Sequence, residues 1–591
     1  MKHRKIFLLF FILLIPALLA GCIAPRTPKE KCTILFEDNE KLYFSQQIYQ
    51  LERFGHATIT VGVPRGMRIA SVNYASYSIT PQTQHSEQYD FYTLTLHQVR
   101  YNAVIRLTID KAYTTTYHPG LGEGESITVT EDSPHLYFNT LPYREQFQNE
   151  GYLPIGWNTR PDGSGISVGF GSRIDHTALS HMDLYMQWLP CTDASSFSYR
   201  VEHQQAIITG YHGTGDVVIP AQLDGLPVTG IASGAFRDLK IDTLALPYTI
   251  KNVENSAFSN ISVQKLYFFD STKNIDGSSF LNCAITSLHI QAVQDPVYSG
   301  SYFDTFADKM DYLMSLKDTQ KIILFCGSSA RFGYDSPMIE KAYPDYRVVN
   351  MGVYAYSNMR PQAELVSLYA TGGDVLLSSP ELDAIDMQFC SSTDLDREFF
   401  CMVESNYDLL SQLDCTGYTN IFDAFQEFNN SRQSMEARSY QDSASYYDEN
   451  GVRQLAPTYN LYGDYILYRP DNTDGKSFGI KRAYYNPNYV NQSDLDGLNR
   501  VYDAFAQKGV TVLFTYSPRS SISISDDSTP DTILALDDLL RDNIHATIIS
   551  PINDSLMDPL YFYDTDNHLS TNGVQIHTKH VIEYLQSILN P

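Results

Sequence analysis

The feature that most restricts this fold is a repeat. Phe236, Phe258 and Phe280 stand 22 residues apart, as do Ile231, Val253 and Ile275, and again Leu244, Leu266 and Leu288. Three registers recurring together at one spacing mean that each segment is one structural unit stacked on the next. A unit of that size cannot bury its apolar face alone, so residues 197–292 are expected to form a short solenoid capped by its neighbours. The solenoid leaves most of the 591 residues to other domains, and the length predicts three to five in all.

The second constraint is Lys321-Ile322-Ile323-Leu324-Phe325-Cys326-Gly327-Ser328-Ser329-Ala330. Its unbroken apolar run suits a strand covered on both faces, and Gly327 permits a sharp turn. Further strands are expected at Arg347–Asn350, Asp374–Ser379, Thr511–Tyr516 and Ala546–Ser550. Helical patterns at 302–316, 361–370, 494–507 and 531–540 fall between and around them. Strands alternating with helices predict an α/β, doubly wound domain with a parallel sheet over 300–591. An insertion at about 390–490, rich in Tyr, Asn, Asp and Ser, is expected to lie over the strand ends. In such sheets ligands bind at the carboxyl ends of the strands, which is where Ser328 and Ser329 fall.

Upstream of the solenoid the chain reads as all-β. Residues 33–115 alternate with period two, as in His56–Val63 and Tyr92–Leu96, and predict a β-rich domain. In 116–190, Asp162-Gly163 marks a hairpin turn, and the chain's two tryptophans, Trp157 and Trp188, are expected in the core. Residues 23–32 carry Pro25 and Pro28 and read as a stalk. Before them, a basic start and an apolar run from Ile6 to Ala20 form a leader too short to span a membrane comfortably.

A net charge of −26 argues against a nucleic-acid partner. Eight cysteines include no Cys-x-x-Cys pair and no Cys/His cluster, so neither a metal nor another cofactor is expected. Cys390, Cys401 and Cys415 could hold one bridge in an exported chain.

Four stretches resemble known families. Leu19-Ala20-Gly21-Cys22 resembles a bacterial lipobox, which implies lipidation of Cys22 and an extracytoplasmic protein anchored to the cell membrane. Tyr117–Gly120, Gly156-Trp157-Asn158-Thr159 and Leu184–Trp188 resemble the Listeria–Bacteroides (internalin-type, β-grasp-like) repeat. Ser233–Phe236, Ser256–Phe258 and Ser278–Phe280 resemble surface-antigen-type leucine-rich repeats. Gly327-Ser328-Ser329, Asn350-Met351-Gly352 and Asp564…His568-Leu569 with Gly573 look like the SGNH (GDSL) hydrolase superfamily, whose fold is flavodoxin-like.

The last resemblance implies Ser329 as nucleophile, His568 as general base and Asp564 as its orienting carboxylate, with Asp566 as the alternate. The backbone N–H groups of Ser329 and Gly352 would form part of the oxyanion hole. Three positions depart from the family pattern. Ser328 stands where an Asp is usual. Asp564 and Asp566 lie four and two residues before the histidine rather than three. Ser379-Pro380-Glu381 follows the third strand where an Asn is usual, which leaves Asn358 and Asn460 as substitute donors. Two functions compete. One is a serine esterase or O-acyltransferase acting on acylated envelope glycans, with a membrane acyltransferase as a possible partner. The other is a non-catalytic surface-binding protein that uses the repeats.

Overall fold

The computed structural model describes residues 31–131, 146–173, 181–354, 357–382, 390–432, 442–447, 453–479 and 483–589. The leader and Cys22 lie outside these residues, as does all but the end of the stalk. The chain divides into two compact units. One holds the residues up to 65 together with 72–108, and the other holds 66–71 and everything from 109 onward.

The first unit is all β. Tyr43–Phe44, Gly55–Pro64, Tyr89–Val99 and Tyr77–His85 form an antiparallel sheet in that spatial order. Ile48–Glu52, Lys31–Phe36 and Ala103–Ile105 form a second sheet. Period two decides what is buried: Ala57, Ile59, Val61 and Val63 face inward, while Thr58 and Thr60 are only half-buried.

In the second unit, residues 113–190 build a five-stranded sheet in which Tyr113–His118 and His181–Pro190 run parallel at the centre. Trp157 is buried against Tyr117, Phe147 and Phe170. The second tryptophan is only half-buried, and the indole N–H of Trp188 donates to the Pro119 carbonyl at 2.7 Å. Asp162 accepts from the backbone and hydroxyl of Ser164 and makes the expected turn.

The 22-residue period becomes direct pairing in the solenoid. Leu244, Leu266 and Leu288 are in register on parallel strands, and Phe236, Phe258 and Phe280 are in register on a second ladder of short strands. The three rings stack at 5.0 Å between centroids. One end of the stack continues to Tyr211, and the other is closed by Phe422, whose ring lies 3.9 Å from that of Phe280.

The α/β region supplies that cap. Its sheet holds five parallel strands: β1 (Lys321–Phe325), β2 (Arg347–Asn350), β3 (Val375–Ser378), β4 (Thr511–Phe514) and β5 (Thr547–Ile548), in the order β2-β1-β3-β4-β5. Its helices include α1 (Thr305–Ser315), α2 (Ser328–Gly333), α3 (Ser336–Ala342), α4 (Met359–Leu368), α5 (Arg397–Val403), α6 (Ile421–Arg432), α7 (Gln492–Ala506), α8 (Pro530–Asn543) and α9 (Thr571–Leu589). Alternate strand residues serve opposite faces. Ile322, Leu324, Val348 and Leu377 pack with Val581 and Leu585 of α9. Ile323, Phe325, Val349 and Leu376 join α1, α4 and the solenoid in one core that runs from Phe197 to Ile552.

The apolar interior of the solenoid and one face of the α/β sheet are a single core. The expectation for the insertion is corrected. The insertion does not lie wholly over the strand ends. Its first part turns away and packs on the solenoid through α6, where Phe425 meets Phe268 and the Gln426 and Asp423 side chains accept from the backbone N–H groups of Ile275 and Gly277. Among the described residues of the insertion, Asp442 and the segment around Asn460–Arg469 reach the strand ends, where Asp442 pairs with the Arg331 side chain and Tyr465 N donates to Arg331 O. The seven described cysteines are thiols, so no bridge joins Cys390, Cys401 or Cys415. Among the described residues no helix is long and apolar enough to cross a membrane, and no cluster of three His, Cys, Asp or Glu side chains could hold a metal.

Candidate active site

The serine turn follows β1 at the point where the strand order reverses between β1 and β3. Gly327 precedes α2, so Ser328 is the first residue of that helix and Ser329 the second. Gly352, just past β2, lies directly against this turn. A Cβ there would come within 2.5 Å of Arg331 N and 2.9 Å of Gly327 O, so only glycine allows the approach. Asn350 locks the pieces together. Its side chain donates to Ala330 O at 2.8 Å and to Asp464 at 2.9 Å, and accepts from Gly352 N at 3.0 Å. Burial raises the Asp464 carboxyl above its usual range, against donors from Ser336 and Asn350 that favour its ionised form.

From the other side comes the loop before α9. Tyr563 N donates to His568 O at 2.9 Å, and His568 N to Thr565 Oγ1 at 2.9 Å. Gly573 lets α9 start tight against the loop, since a Cβ there would lie 2.4 Å from Tyr561 O. His568 Nε2 lies 2.8 Å from Ser328 Oγ, and His568 Nδ1 lies 2.9 Å from Asp564 Oδ1. The imidazole is stacked on Phe332 at 4.1 Å, and the Arg469 guanidinium covers the rings of Phe332 and Tyr465. With the proton on Nδ1, the ring donates to Asp564 and accepts from Ser328.

The serine beside the histidine is therefore Ser328, not Ser329. Adjacent residues of a helix point about 100° apart, so only one of the pair reaches the imidazole. Ser329 is buried and meets the same loop at Asn567 instead. Its hydroxyl donates to Glu381, its backbone N–H donates to Glu381 Oε1 at 3.1 Å, and it receives Asn567 Nδ2 at 3.0 Å. Asn567 Nδ2 also lies 2.5 Å from Glu381 Oε2. Both N–H groups expected for an oxyanion are thus engaged, Ser329 by Glu381 and Gly352 by Asn350.

The alternate carboxylate has another task. Asp566 is buried and clamps a neighbouring loop, accepting from Phe478 N at 3.0 Å, Gly479 N at 2.7 Å and Ser477 Oγ at 2.7 Å. The substitute donors are also committed. Asn358 caps α4 through Arg360 N and donates to Asp394 O, and Asn460 accepts from Gly463 N and Asp464 N in its own turn. Sequence reasoning missed Asn567 and Ser328. The nearest signal for Asn567 was its position beside His568, and for Ser328 its position beside Ser329.

Comparison with known families adds one finding. Residues 228–307 match the BspA type leucine rich repeat region, in six copies. The matched stretch runs through the solenoid into the start of α1. No curated protein matches the chain.

Proposed function

We propose that the α/β region is a serine acyl-transfer enzyme of the SGNH type with Ser328 as nucleophile. The observation that carries this reading is the relay of Ser328, His568 and Asp564, with contacts of 2.8 and 2.9 Å at the carboxyl end of a parallel sheet. A serine hydroxyl is a poor nucleophile until a base takes its proton, and a base held in one tautomer by a carboxylate does so. In the first step Ser328 Oγ attacks an ester carbonyl as its proton passes to His568 Nε2. The tetrahedral adduct collapses, and the leaving alcohol takes the proton from His568. Water or an acceptor hydroxyl then attacks the acyl-serine and gives its own proton to His568, which returns it to Ser328 Oγ as the acyl–oxygen bond breaks and the acyl group departs on the acceptor. Water makes the protein an esterase, and a sugar hydroxyl makes it an O-acyltransferase. In this reading the Cys22 lipid holds the protein on the outer face of the cell membrane, where acylated envelope glycans are the substrate class.

A second reading rests on the repeat match: the solenoid binds a surface ligand and the α/β region is its scaffold. A fluorophosphonate probe separates the two. In the first reading it labels Ser328 slowly, Ser328→Ala abolishes the label, and His568→Ala slows it by on the order of 10³-fold or more. Ser329→Ala retains it. A label kept in Ser328→Ala, or lost only in Ser329→Ala, would overturn the assignment.

A further inference from the structure

Glu381 lies beside this relay, and the relay does not use it. It stands just after β3 and is 3% exposed. Three donors converge on its carboxylate: the backbone N–H of Ser329 at 3.1 Å, the Ser329 hydroxyl, and Asn567 Nδ2 at 2.5 Å. At the strand-to-helix serine turn of α/β-hydrolases, the N–H of the residue after the nucleophile is an oxyanion donor. With Ser328 as nucleophile, that residue is Ser329. Preorganised donors in a dry site stabilise whatever negative charge they face. Here the charge they face belongs to the protein.

We propose that Glu381 is an internal occupant of the oxyanion hole, formed by Ser329 N–H and Asn567 Nδ2–H, and that it holds the enzyme in a resting state. The inference rests on the triad reading above. While the carboxylate stays, no oxyanion reaches these donors, and its charge opposes the one that develops during attack. Displacing it hands both donors to the substrate. The hole so emptied is an anion site sized for a small carboxylate.

The test measures fluorophosphonate labelling rates of the intact chain. Glu381→Ala is expected to label faster than wild type by roughly 10- to 100-fold, no more than the 10²–10³-fold that one oxyanion donor is worth. The gain should vanish in the Ser328→Ala double variant. Acetate should slow Glu381→Ala by refilling the hole and leave wild type unchanged. Glu381→Gln, nearly isosteric, should also gain, but less, because its amide still accepts from Ser329 N–H. If Glu381→Ala fails to fold, Glu381→Gln decides, and no gain there overturns the proposal. Label on wild type with no gain in either variant overturns the occupant and leaves the triad. A gain that acetate does not reverse overturns the anion site. No label on wild type or on a folded Glu381 variant removes the triad reading itself.

Discussion

At the residue scale, two aspartates two positions apart do unlike work. Asp564 is half-exposed and accepts from the ring of His568, whereas Asp566 is buried and holds Ser477, Phe478 and Gly479. Their substitutions should therefore separate. Asp564→Asn presents the imidazole with an amide and is expected to slow labelling of Ser328 by on the order of 10²–10⁴-fold with little change in melting. Asp566→Ala removes the charge-assisted bonds made by a buried carboxylate and should lower stability by about 2–4 kcal/mol in a urea titration. Equal loss of stability in both variants would show that Asp564 is structural. Spacing identified the loop that carries His568. It left Asp564 first and Asp566 as the alternate, and Asp564 is the carboxylate at Nδ1, held there as Thr565 folds the turn back on His568 N. The choice between Ser328 and Ser329 was not legible in the same way, because their facing depends on the glycine contact at Gly352.

At the element scale, α6 is the end-piece of the solenoid. A stack of parallel rungs leaves its last apolar surface open unless something covers it. Phe422 continues the ring stack on Phe280, and Asp423 and Gln426 satisfy the N–H groups of the last turn. Phe422→Ala should cost about 3–5 kcal/mol, the usual range for removing a buried ring. Hydrogen exchange should show the loss first in 277–291, and protection there equal to wild type would refute the capping role. The rungs were legible because a 22-residue period is a local property that each unit repeats. The cap was not, because α6 lies about 140 residues further on and shares no period with the rungs.

At a larger scale, the solenoid shares one core with the α/β region and a second with the sheet at 113–190, and buried carboxylates tie the three together. Asp408 accepts from Gly169 N, and Arg173 pairs with Asp304, Asp308 and Asp311. Glu404 accepts from Tyr298 N and pairs with Arg432, which also reaches Asp270. Burial pushes Glu404 up to about 7 and Asp408 up to about 6, against the opposing pull of Arg432 and the Gly169 N–H respectively. A carboxyl whose folded pKa is raised holds its proton to higher pH in the folded chain than in the unfolded one. The folded state then binds more protons between about pH 4.5 and 7, and its stability falls as pH rises through that window. His289 and His577, which burial lowers to about 4, act with the opposite sign below about pH 6.5, so the Glu404 contribution is read as a difference: acidification from pH 7.5 to 5.5 should shift the unfolding midpoint of wild type upward relative to that of Glu404→Gln. A midpoint difference between the two that does not change over that window would contradict this.

The sequence by itself determined the local and periodic parts of this protein. The 22-residue rungs, the apolar strands of the parallel sheet and the tight turn after Phe325 each follow from patterns within a few dozen residues. Tertiary structure decided what depends on contacts between distant segments. It joined the solenoid interior to one face of the sheet, sent the first part of the insertion to cap the rungs, and turned Ser328 rather than Ser329 toward His568. It also placed Glu381 on the donors around Ser329. The reason is physical: periodicity records which face of an element is buried, while the partner of that face is chosen by packing and hydrogen bonding among residues hundreds of positions apart.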